Sequence, residues 1–251
     1  MNERRSNETT FHLLSIFLGI TISLGIVMPF ALIQADTSTA QQLKKKKQIP
    51  PPSPPSKGFP GNRTVSASMS GGSCDLKLIA LAPEFNQNPS GQISEKSVWG
   101  QTTVERPIFW FFVPSTQALK LEFSLQNRQG EDIYRAPIPT PGQPGVIGVR
   151  IPTSQQPLQL DRDYRWTLKA QVPCGTTTNR VFVDGWVKRA SLPNAGNRSD
   201  TFAQQGIWYD AVTSLAQQRL QKPNDVQLQQ DWHNLLESAD LNAIAKQPIL
   251  K

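Results

Sequence analysis

From Asp75 to about Leu192 the chain repeats with a period of two, and this alternation constrains its fold more than any other feature. In Leu119–Leu125 the apolar Leu119, Leu121, Phe123 and Leu125 alternate with Lys120, Glu122 and Ser124. In Tyr164–Val172 the apolar Tyr164, Trp166, Leu168, Ala170 and Val172 alternate with Arg165, Thr167, Lys169 and Gln171. Side chains two apart share one face of a strand, so each segment predicts a strand with one wet face. Ile108–Val113 (IFWFFV) is apolar on both faces and predicts a central strand. Leu76–Ala82, Asp132–Ala136, Val146–Ile151 and Val181–Lys188 fit further strands, and Asn127–Glu131, with Gly130, joins two of them as a hairpin. Pro107, Pro114, Pro137, Pro152, Pro157 and Pro173 fall at strand ends, where a residue without an N–H does least harm to a ladder. Seven short strands separated by turn signals predict a β-sandwich.

The string Leu158–Trp166 (LQLDRDYRW) places Leu160 four residues before Tyr164 at the start of a strand. It resembles the corner of immunoglobulin-like and fibronectin-like sandwiches, in which a tyrosine hydroxyl ties down the preceding turn. After Ser191 the period changes to 3.6. Residues 201–221 carry Phe202, Ile207, Trp208, Ala211, Val212, Leu215 and Leu220 on one face. Pro223 precedes a second helix over 225–236 with Leu228, Trp232, Leu235 and Leu236, and a short helix over Leu241–Ala245 closes the chain. Gly206, Trp208, Ala211, Leu215 and Pro223 are spaced as in the second helix of a tetratricopeptide repeat, with Gly and Ala expected to allow close helix approach. The expectation is therefore a mainly β chain, an immunoglobulin-like β-sandwich over 62–192 followed by a helical hairpin over 193–251 that packs on the sandwich and resembles one tetratricopeptide repeat.

Ahead of these lie two segments of different character. Residues 11–33 contain no Asp, Glu, Lys or Arg, Arg4 and Arg5 precede them, and Ala35 or Ser38-Thr39-Ala40 offers small residues for cleavage. Residues 1–35 thus read as a secretory signal peptide or, since the apolar run is long enough to span a bilayer, as a signal anchor. Residues 36–61 hold Lys44–Lys47 and then IPPPSPPSKGFPG, a Lys/Pro-rich linker expected to be an extended spacer. Five lysines against Asp36 put +4 of the net +7 on that linker, leaving +3 for the remainder. A folded part so weakly charged is not that of a nucleic-acid-binding protein. Contact with a membrane is expected only through the N-terminal segment. An exported chain with two cysteines, Cys74 and Cys174, suggests a disulfide, which would close a loop of roughly 100 residues and stabilise by about 2–5 kcal/mol.

Catalytic machinery is sparse. The histidines are His12, in the apolar N-terminal run, and His233, on a helix between core positions, with no GxSxG elbow to serve. Neither spacing nor residue type makes a metal site, and no cofactor is expected. Gly71-Gly72 is followed by Ser73-Cys74 and is no phosphate loop. The close carboxylates Asp161 and Asp163, and Glu131 and Asp132, leave a carboxylate-dependent hydrolase as one alternative, although they fall at turns, where Asp serves the backbone. Another alternative is a carbohydrate or envelope-polymer binding module using Trp99 or Trp186 as stacking platforms. Asn62-Arg63-Thr64 and Asn197-Arg198-Ser199 fit the glycosylation triplet.

LIALAPE after Cys74, then PIFWFFVP (107–114), LEFSLQNRQGEDIYR (121–135), PGVIGVRIP (144–152), PLQLDRDYRWTL (157–168), FVDGWVKR (182–189) and GIWYDAVTSLA (206–216) follow in order. Together they resemble the cyanobacterial family called domain of unknown function 928, over about 60–250. The resemblance implies a cyanobacterial source, hence a destination in the periplasm, at the cell surface or in the thylakoid lumen, and implies no catalytic residue or ligand. The expected function is an exported, non-enzymatic interaction module whose partner is a protein or an envelope polymer.

Overall fold

The computed structural model describes residues 59–67, 76–86, 96–114, 120–174, 176–191, 202–203 and 205–251. All of them belong to one compact unit, 47–251. The N-terminal apolar run, the Lys run and Cys74 lie outside the described residues.

Ten strands and two helices are described: β1 (Thr64–Ala67), β2 (Leu76–Ala80), β3 (Glu84–Asn86), β4 (Lys96–Thr102), β5 (Ile108–Val113), β6 (Lys120–Gln126), β7 (Asp132–Ile138), β8 (Gly145–Arg150), β9 (Asp163–Cys174), β10 (Thr177–Arg189), α1 (Trp208–Gln221) and α2 (Val226–Glu237). The order β1-β2-β5-β8 makes one sheet and β3-β4-β10-β9-β6-β7 a second. The pairs are antiparallel except β4–β10, which is parallel. All seven predicted strands are present. β1, β3 and β4 were not predicted. β4 escapes a periodicity reading because it buries the polar Ser97 and Thr102 beside Val98 and Trp99.

The two sheets enclose one apolar core, and the four-stranded sheet uses its other face to carry the helices. This explains β5. Phe109, Phe111 and Val113 enter the core between the sheets, while Ile108 and Trp110 join the cluster beneath the helices. A strand in the middle of three layers must be apolar on both sides.

The start of α1 is fastened to the sheets by three consecutive side chains. Trp208 Nε1 donates to the Leu81 carbonyl at 2.8 Å. Tyr209 passes into the core between the sheets. The buried Asp210 carboxylate accepts from Thr102 Oγ1 at 2.5 Å, from the Thr103 N–H at 2.8 Å and from the Thr103 hydroxyl. Gly100 makes room, since a Cβ there would stand 3.0 Å from Tyr209 Cε2 and 3.3 Å from Trp208 Cβ.

α1 begins at 208 rather than 201 because Gly206 has a φ of +77°, with Gly206 N–H bonded to the Ala203 carbonyl and Ile207 N–H to that of Phe202. This is a left-handed helix stop, so Gly206 serves by its backbone conformation and not, as expected, by allowing close helix approach. α2 is capped by the Asp225 side chain, which accepts from Leu228 N–H at 3.0 Å. Trp208 and Trp232 are both buried, as their places on the apolar stripes predict. At the far edge, Val146 N–H donates to the Pro248 carbonyl and Leu250 N–H to that of Val146, both at 2.8 Å, so the chain's end covers the edge of β8.

The predicted tyrosine corner is present. Tyr164 Oη accepts from the Gln159 N–H at 2.9 Å. Leu160, four residues before Tyr164, is 51% exposed, and Leu158 fills the core instead. The helices pack on the sandwich as expected, whereas the parallel β4–β10 pair was not foreseen.

Candidate functional site

β4 and β10 pair only over Trp99–Thr102 and Trp186–Arg189. Alongside the first half of β4 the neighbouring place is filled by residues 59–62. Phe59 N–H donates to Ser97 Oγ at 2.9 Å, Val98 N–H to the Phe59 carbonyl at 3.3 Å and Gly61 N–H to the Lys96 carbonyl at 3.0 Å. On the other side Asp184 N–H donates to the Asn62 carbonyl, and Asn62 N–H to Asp184 Oδ1, each at 3.0 Å. Asp184 is buried, and its second oxygen accepts from Arg165 Nη2 at 2.6 Å and Nε at 3.0 Å. The end of the predicted linker, up to residue 61, is thus not a spacer but part of the sheet. Proline content pointed to a spacer, whereas buried partners on β4 and β10 hold the backbone.

This insertion builds an aromatic shelf. Trp99 and Trp186 are register partners and share a face. Phe59 stacks on Trp99 with centroids 6.1 Å apart and planes at 23°, and tilts against Trp186 at 5.4 Å. Trp186 Nε1 donates to the Pro60 carbonyl at 3.2 Å. Over the shelf lies Arg128, its guanidinium carbon 5.2 Å from the Phe59 centroid and 5.9 Å from that of Trp186. Its Nη2 also meets Asp163 Oδ2 at 3.0 Å.

Arg128 is held there by its turn. Asn127 Oδ1 accepts from the N–H groups of Gln129 and Glu131, Asn127 Nδ2 donates to Glu131 Oε2 at 2.6 Å, and Gly130 has a φ of +84°. Trp99 is only 9% exposed and Trp186 half-buried. The two tryptophans expected as stacking platforms are brought together, but as a floor partly covered by the chain's own Phe59 and Arg128.

Above this floor opens a groove of about 960 Å3. Its walls are the Asn127–Glu131 turn, the 156–163 loop, Lys188 and residues 205–206. Its charges largely answer one another. Arg128 pairs with Asp163, and Lys188 Nζ stands 3.2 Å from Asp161 Oδ1. Among the described residues, Trp99 Nε1 and Asp163 Oδ1 are buried without a hydrogen-bond partner.

The remaining candidates are dispersed. Asp161 and Asp163 each face a cation. Asp132 accepts from Arg135 Nε at 2.7 Å and from Gln126, and these bonds hold its carboxyl below the usual range, opposite to what a general acid needs. His233 lies half-buried on α2 beside Trp232. Among the described residues no three His, Cys, Asp or Glu side chains are grouped to hold a metal ion. Cys174 ends β9, and its proposed partner Cys74 lies outside the described residues.

Sequence reasoning missed Phe59 and Arg128. The signal for Phe59 was there, since it is the sole aromatic residue of 36–61. For Arg128 the sequence shows only a polar hairpin tip.

A comparison with curated proteins gave no match. The family model described as Domain of Unknown Function (DUF928) matches residues 61–249, a span that takes in the shelf tryptophans, the Arg128 turn and the Trp208-Tyr209-Asp210 fastening. The chain belongs to the DUF928 family.

Proposed function

We propose that this protein is an exported, non-enzymatic interaction module of the cell envelope, and that its partner is received in the groove above the Phe59–Trp99–Trp186 shelf. The observation that carries this reading is the groove itself: a large concave surface with an aromatic floor and convergent polar groups, the form that ligand sites take. Two of the carboxylates at its edge, Asp161 and Asp163, stand in ion pairs, which suits recognition better than proton transfer.

Export rests on the apolar run 11–33 behind Arg4 and Arg5. The family strings favour a cyanobacterial source and so the periplasm, the cell surface or the thylakoid lumen. In such a compartment Cys74 and Cys174 are expected to be joined, and thiol trapping of unreduced protein should find neither free.

Site-specific photo-crosslinking in the producing cell tests the groove. A benzophenone side chain in place of Gln129, at the groove, is expected to capture envelope material. One in place of Val226, on the exposed surface of α2, is expected to capture none. Capture at Val226 and none at Gln129 would move the interaction site to the helices.

A further inference from the structure

We propose that the groove's ligand is a neutral glycan; the inference rests on the binding-module reading and names the ligand class for the same site. Three observations carry it. First, the charges of the groove balance: three cations, Arg128, Arg162 and Lys188, stand against three carboxylates, Glu131, Asp161 and Asp163, with Arg128 on Asp163 and Lys188 on Asp161. An anionic polymer or nucleic acid would find little unopposed positive charge to displace its counterions. Second, five glutamines line the groove, Gln101, Gln129, Gln156, Gln159 and Gln205, and none of their side-chain amides is engaged by another described residue. Each amide offers a donor and an acceptor side by side, the pattern that neighbouring hydroxyls of a sugar present in return. Third, the floor is aromatic without an apolar pocket, and Arg128 lies over its Phe59 and Trp186 rings. Phe59 and Trp99 are buried but line the groove, and Trp186, their half-buried neighbour, completes the shelf.

A protein partner is held mainly by bulky anchors sunk into desolvated pockets, which this floor does not provide. A sugar needs no such anchor, since its hydroxyls can turn to the amides above a floor of Arg128 and the rings beneath it.

The test uses the full chain and isothermal titration with three neutral hexasaccharides (cellohexaose, maltohexaose and chitohexaose), polygalacturonate as the anionic polymer and a neutral Gln/Ser-rich peptide. At least one hexasaccharide is expected to bind, with an affinity that changes less than twofold between 50 and 500 mM salt. The double substitution Gln156→Ala, Gln159→Ala, on exposed loop positions that leave the core untouched, is expected to weaken that binding at least tenfold. Circular dichroism and an unchanged melting temperature would show that the variant is folded. Absence of binding by all three hexasaccharides, unchanged binding in the variant, or tighter and salt-sensitive binding of polygalacturonate would overturn the proposal, as would binding of the peptide alone. Should the glycans fail while Gln129 still crosslinks to envelope material, the binding-module reading stands and only the ligand class falls.

Discussion

The indole N–H of Trp166, on β9, donates to the hydroxyl of Tyr209, on α1, at 2.6 Å inside the core between the two sheets. The same hydroxyl donates to the Trp186 carbonyl at 3.1 Å. One phenol from the helical layer thus joins β9 to β10, the strand that carries Trp186 of the aromatic shelf. Replacing Tyr209 with Phe leaves the buried indole N–H and a carbonyl unanswered and is expected to cost about 1–3 kcal/mol. Urea denaturation checks this, and a variant as stable as wild type would show the bond to be dispensable.

Burial raises the pKa of the Tyr209 phenol far above its ordinary value, the Trp166 hydrogen bond offsetting only part of the effect. In the unfolded chain the same group ionises near its ordinary value of about 10. The unfolded state therefore releases a proton that the folded state keeps, so the contribution is fully present below pH 10 and is lost as pH rises above it. In a spectrophotometric titration Tyr209 is expected to ionise only with unfolding. Ionisation of all three tyrosines near pH 10 in folded protein would contradict the burial.

Asp184 holds residues 59–62 in the sheet through Asn62 and binds Arg165 with its other oxygen. Asp184→Ala is expected to cost about 1.5–3 kcal/mol, the usual worth of a hydrogen bond to a charged group, because Arg165 can turn to solvent. Its more specific effect should be local. Limited proteolysis should cut at Lys57 or Arg63 sooner in the variant than in wild type, while cleavage elsewhere is unchanged. Equal rates at these sites would mean that the segment is held by other contacts.

Much of this fold was legible because burial in sheets and helices imposes a period. IFWFFV announced a strand buried on both faces, and it lies between two layers. The tyrosine corner was legible because Tyr164 opens a strand after a polar turn. β4 was not legible, because Ser97 and Thr102 are buried as hydrogen-bonding partners of Phe59 and Asp210, which a pattern of apolar residues cannot show. The candidate site was half legible. Trp99 and Trp186 stand in the sequence as aromatic candidates, but their register across a parallel pair, and the entry of Phe59 beside them, are long-range facts. The groove's glutamines come from four separate loops and strands, and only the tertiary fold brings them together.

His233 serves a contrasting expectation. It follows the buried Trp232 on α2 and lies outside the groove. His233→Gln is expected to change stability by no more than about 0.5 kcal/mol. A panel of esterase, peptidase and glycosidase substrates should show no activity that depends on it. An activity present in wild type and absent from the folded variant would overturn the non-enzymatic reading.

Hydrogen–deuterium exchange on the full chain, with and without solubilised envelope material, tests groove-centred binding most directly. Added material is expected to slow exchange in the 127–131 turn, the 156–163 loop and the segment around Lys188, and to leave residues 226–237 of α2 unchanged. Slowed exchange confined to α2, with none at the groove, would contradict the assignment of the groove as the site of interaction.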